Sequence, residues 1–65
     1  MITLYTTHCP KCKVIEEKLA GKGIEYTEVT DVTVMQKLGF KAAPVMEVDG
    51  KYLNFSDANR WIMNQ

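Results

Sequence analysis

The chain has 65 residues, 46% of them hydrophobic and 25% charged, with eight acidic side chains set against eight basic ones. That length leaves room for one core, and the composition is that of a folded globule rather than a disordered segment. A formal net charge of zero supplies no overall field to gather nucleic acid or an acidic membrane surface, and no run nears the ~20 apolar residues of a membrane span.

In chain order, Ile2-Thr3-Leu4-Tyr5 is a short strand by its β-branched and aromatic content, and Thr6-Thr7-His8 is the turn after it. Pro10 favours the first turn of a helix, which then runs to Lys22. Its inward stripe is Cys12, Ile15 and Leu19, widened by Val14, with Lys13, Glu16, Glu17 and Lys18 opposite. Gly21-Lys22-Gly23 stops this helix. Ile24 to Val29 is expected as an edge strand parallel to the first, because a strand, a helix and a strand in ~30 residues form a right-handed crossover. Thr30 or Asp31 caps a second helix bearing Val34, Met35 and Leu38, and Phe40 beyond Gly39 folds back on its last turn.

Pro44 opens a third strand through Val48. Asp49-Gly50 is a two-residue hairpin signal, and Lys51 to Asn54 returns antiparallel. Ser56 or Asp57 is expected to cap the last helix, with Ala58, Trp61 and Ile62 on its apolar face. The order β-α-β-α-β-β-α predicts an α/β fold, one domain over residues 1–65, built as a four-stranded mixed sheet with helices on its faces.

Both cysteines lie in Cys9-Pro10-Lys11-Cys12 at the strand-to-helix junction. The start of a helix offers unpaired N–H groups and the positive end of the macrodipole, which favour a thiolate at Cys9. Cys12, on the inward stripe, is placed to resolve a mixed disulfide. Reversible disulfide chemistry is therefore the leading expectation, beside a structural disulfide or a metal-binding module. His8 is the third soft ligand for such a module, and a tetrahedral zinc site needs a fourth from elsewhere. Lys11, Lys13 and His8 are the candidate cations near Cys9, and Lys11 is expected to draw the thiolate by Coulomb attraction. Tyr5 closes the first strand, where it lines the thiol groove or enters the core. The opening apolar run is four residues followed by Thr, His and Cys. That is not the build of a signal peptide, so the chain is expected in the cytoplasm, where thiols stay reduced.

Four stretches carry a resemblance over essentially the whole chain: Leu4-Tyr5-Thr6, Cys9-Pro10-Lys11-Cys12, Gly39-Phe40-Lys41-Ala42-Ala43-Pro44-Val45 and Ser56-Asp57. Together they resemble the glutaredoxin family, the thioredoxin fold in its smallest form. The resemblance implies a thiol–disulfide oxidoreductase acting on protein disulfides or glutathione mixed disulfides, with Cys9 as nucleophile and Cys12 as resolving thiol. It implies a cis bond before Pro44 that brings the Ala43 backbone beside Cys9 for pairing with substrate. Pro10 and Lys11 within the motif, with Tyr5 and His8 beside it, become substrate-facing candidates. Lys41, Ser56 and Asp57 either bind the charged ends of glutathione or are a surface lysine and a helix cap.

Two branches of the family compete. Cys-Pro-x-Cys with Ser56-Asp57 looks like the glutathione-dependent members. Gly39-Phe40-Lys41 looks like redoxins that serve ribonucleotide reductase and are recharged by thioredoxin reductase. This chain departs from both: Lys11 replaces the usual aromatic residue, and Leu53-Asn54-Phe55 stands where a Gly-Gly pair is common. The resemblance implies a monomer without a tightly bound cofactor or metal, glutathione being a co-substrate or reductant. The family's own metal alternative is an iron–sulfur cluster shared by two chains.

Overall fold

The structure, a computed structural model, describes residues 1–65. Strands β1 (Ile2–Tyr5), β2 (Thr27–Val29), β3 (Val45–Val48) and β4 (Lys51–Leu53) alternate with helices α1 (Pro10–Gly21), α2 (Val32–Lys37) and α3 (Phe55–Met63) in the expected order. The sheet order is β2-β1-β3-β4, with β1 and β2 parallel and the other two pairings antiparallel. The chain is thus an α/β protein with a mixed four-stranded sheet, compatible with the minimal thioredoxin-like arrangement. No helix is long and apolar enough to cross a membrane.

Alternation along the strands divides the side chains between two faces. Leu4 and Met46, opposite one another in the β1–β3 register, join Ile15 and Leu19 of α1 and Ala58 and Ile62 of α3 in the core. Each large apolar side chain buried here contributes about 1.5–3 kcal/mol relative to exposure. Tyr5 points to the other face, where its ring meets Phe40 edge-on at 5.0 Å and Phe40 in turn meets Tyr52 at 5.2 Å. Met35 is the one buried residue of α2.

The turns follow from local chemistry. Asp49 and Gly50 both have positive φ, 49° and 87°, as a type I′ hairpin requires, and the strand twist favours that turn. After α2, the Gly39 amide bonds to the Gln36 carbonyl and the Phe40 amide to the Met35 carbonyl. These two bonds satisfy the last carbonyls, and Gly39, at φ 81°, supplies the left-handed residue the motif needs.

Four expectations are corrected. The last helix is capped by Asn54, whose side-chain oxygen accepts the Asp57 amide at 2.8 Å; Ser56 and Asp57 lie in its first turn instead. β2 is three residues long, because Ile24 and Tyr26 pack on the core cluster before the chain joins the ladder at Thr27. Val14 is exposed rather than part of the stripe. Glu16 and Lys18 do not lie on a solvent face: Glu16 bonds the Thr6 hydroxyl at 2.8 Å, and the Lys18 ammonium bonds the Asn59 amide oxygen across the α1–α3 seam.

The cap correction is directly testable. Asn54→Ala should cost about 1 kcal/mol in urea unfolding, whereas Ser56→Ala should stay within about 0.5 kcal/mol of the parent. Equal losses at the two positions would contradict the cap seen here.

Candidate functional site

The site is the junction between β1 and α1. Cys9 is the N-cap of α1, with extended backbone, and its carbonyl takes the first helical hydrogen bond from Lys13 at 2.9 Å. Its sulfur accepts the Cys12 amide at 3.3 Å. Pro10 occupies N1, where a missing N–H costs nothing. An N-cap that is a cysteine therefore has its sulfur held against the donors of a helix start.

The two Sγ atoms are 2.7 Å apart and both cysteines are free thiols. They differ in access: Cys9 is half-buried, while Cys12 is 0% exposed on the inner stripe of α1. The Cys9 sulfur also lies 3.9 Å from the Ala43 carbonyl. The Ala43–Pro44 peptide bond is cis, as the resemblance implies, and Pro44 is buried.

Burial opposes ionisation of Cys12, yet hydrogen bonding brings its thiol down from 9.0 to about 7, with Cys9, Thr6 and the backbone at Thr7 and Cys9 contributing. The largest of these lowering contributions is the hydrogen bond with the Cys9 sulfur at 2.7 Å. In that contact the Cys9 thiol donates to the Cys12 sulfur.

Two hollows meet at Ala43, whose carbonyl faces the Cys9 sulfur. A groove of about 510 Å³ is lined by Lys11, Lys41, Ala43, Pro44 and Asp57 among others, with Phe40, Tyr52 and Phe55 as its aromatic walls. A smaller hollow of about 390 Å³ touches Cys9 itself, together with Val32, Met35, Phe40 and Ala43. Five of the candidate substrate-facing residues are thus brought together. Tyr5, His8, Pro10 and Ser56 line neither hollow. Tyr5 is buried instead, its hydroxyl donating to Glu47 at 3.3 Å; burial first and the Glu47 charge second raise its pKa above the usual phenol value.

The Lys11 and His8 side chains each have partners other than the thiols. The Lys11 ammonium sits 5.6 Å from the Phe55 ring centroid, a cation–π contact at the groove's edge. His8 turns Nδ1 to Glu16 at 3.3 Å and Nε2 to Glu28 at 3.2 Å. The cluster of three metal-ligand types in the chain is therefore His8, Glu16 and Glu28, within 4.8 Å of one another, and neither cysteine belongs to it.

Thr6, Glu16 and Glu28 escaped the sequence reading. Glu16 was detectable, since it lies four residues after Cys12 and so one turn along the same helix face. Glu28 carried no such signal, because its partner is 20 residues away and only the β1–β2 register brings it near. No protein-family model matches the chain, and none of the curated proteins compared with it matches either.

A thiol whose folded pKa is depressed adds stability above its unfolded value and loses it as pH falls. With Cys12 moved from 9.0 to about 7, the reduced protein should gain on the order of 2 kcal/mol between pH 7 and pH 9. Urea unfolding in the presence of reductant across that window measures it. Cys12→Ser should flatten the rise, and a parent protein whose stability is level from pH 7 to 9 would contradict the assignment.

Proposed function

We infer that this chain is a glutaredoxin-like thiol–disulfide oxidoreductase. The observation that carries the reading is the asymmetric dithiol: an accessible sulfur at a helix start, 2.7 Å from a fully buried one. The Cys9 thiolate attacks one sulfur of a substrate disulfide, forming a mixed disulfide and expelling the other sulfur as a thiolate. Cys12, as thiolate, then attacks the Cys9 sulfur and expels the second substrate thiolate. Two electrons pass from the dithiol to the substrate, the two released thiolates take up the protons, and Cys9–Cys12 is left as a disulfide. An external thiol or a flavin-linked reductase recharges it.

The groove supports an extended substrate lying beside Ala43. The Ala43 carbonyl stands 3.9 Å from the attacking sulfur, so a substrate backbone N–H bonded there brings its disulfide to Cys9. Lys11, Lys41 and Asp57 all line the groove, giving it both signs of charge, as the ends of glutathione or a polar peptide demand.

Cys9→Ser should abolish disulfide reduction, while Cys12→Ser should stall as a mixed disulfide at Cys9 that mass spectrometry detects. Running the parent protein with glutathione and its reductase, and separately with thioredoxin reductase, identifies the electron source. Failure to reduce glutathione mixed disulfides and protein disulfides under both regimes would refute the proposed activity.

A further inference from the structure

The loop that delivers Cys9 to the helix start is held by side chains outside the dithiol. Thr6, fully buried, accepts the His8 amide at 3.0 Å on its hydroxyl and donates that hydroxyl to Glu16 at 2.8 Å. The same Glu16 oxygen faces His8 Nδ1 at 3.3 Å, and Glu28 faces Nε2 at 3.2 Å. His8 itself has φ 60°, a left-handed backbone that a residue with a Cβ adopts only when its surroundings hold it there. Three elements converge on one ring: the β1–α1 loop through His8, α1 through Glu16 and β2 through Glu28.

Both ring nitrogens meet an acceptor-only carboxylate. A neutral imidazole has one N–H and satisfies one of them, whereas an imidazolium donates to both. No lysine or arginine pairs with Glu16 or Glu28, so His8 is the cation of this cluster. The field of the two carboxylates is felt nearby: the Tyr26 phenol is held above its usual pKa, by burial first and then by Glu16 and Glu28.

We propose that His8, as an imidazolium bridging Glu16 and Glu28, is a positioning residue that locks the Thr6–Cys9 loop and holds the Cys9 sulfur against the start of α1. It acts through the loop and touches neither sulfur nor substrate. Its purpose rests on the dithiol reading above.

His8 is the single histidine of the chain, so its ring signals need no assignment. In reduced, full-length protein in weakly acidic solution, both ring N–H protons should exchange slowly with water in ¹H–¹⁵N spectra. Glu16→Gln should release the Nδ1 proton and Glu28→Gln the Nε2 proton. Ring protons that exchange freely in the parent protein overturn the bridge.

Alkylation by iodoacetamide followed by peptide mapping reads the Cys9 sulfur separately. Glu28→Gln should slow labelling of Cys9 by about three- to tenfold, the scale expected for a modest misplacement of a reacting group. Glu28→Asp, which keeps the charge, should regain part of the rate. An unchanged rate in Glu28→Gln overturns the positioning role. So does a slowed rate matched by an equal loss of thermal stability and not regained by Asp. Reduction of a small disulfide, measured in parallel, judges the oxidoreductase reading by itself: its absence in a parent protein with normal Cys9 labelling sinks that reading and leaves the lock decided by the other two measurements.

Discussion

One hydrogen bond, from the Cys12 amide to the Cys9 sulfur at 3.3 Å, makes the start of α1 and the chemistry of the site a single structure. Helix starts are ordinarily capped by an oxygen of Ser, Thr, Asp or Asn. A thiol sulfur is a weak acceptor and a thiolate a much better one, so the strength of this cap depends on the state of the sulfur. Pro10 at N1 removes a donor that would need its own partner and presets the backbone. Serine caps well, so a serine at position 9 separates the nucleophile from the helix start: the fold keeps its cap and loses its chemistry.

A second contact, between the two sulfurs at 2.7 Å, explains why the resolving thiol can be completely buried. Taking Cys12 out of water works against its thiolate, and without compensation its pKa would rise. The hydrogen bond from the Cys9 thiol and the groups of the loop ahead of the helix outweigh that penalty. Burial also keeps outside reagents from Cys12, so its accessible partner is the sulfur of Cys9. Access and acidity are thus assigned by position along one helical turn: i at the exposed end, i+3 facing the core.

Much of this was legible in the sequence. Periodicity located α1 and its Cys12–Ile15–Leu19 stripe, Asp49-Gly50 marked the hairpin, and the spacing of strands and helices gave the sheet its mixed character. What escaped depended on contacts that no local pattern encodes. Asn54 outcompetes Ser56 and Asp57 as cap because β4 ends at Leu53, which leaves Asn54 as the first residue with extended backbone before the helix. The Lys11–Phe55 contact arises because α3 places that ring within reach of the ammonium. The two carboxylate partners of the His8 ring come from α1 and β2, which only the folded chain brings to the loop.

The two faces of the sheet divide the work of such a site. On one face α1 and α3 close over Leu4 and Met46, and the core there includes Ile15, Leu19 and Ile62, all but fully buried. On the other, α2 has six residues and buries only Met35, while Tyr52 remains 51% exposed beside Phe40. Local opening is easiest where few apolar groups are buried. The dithiol is anchored through Cys12 to the well-packed face, so the distance between its sulfurs is set by the rigid part of the molecule. Lys41, Ala43 and Phe40, which form the far wall of the groove, connect α2 to β3 on the thinly covered face. A chain of this size cannot bury both faces equally, and this arrangement spends its packing where the geometry of bond exchange needs it, leaving the wall that meets substrates free to adjust.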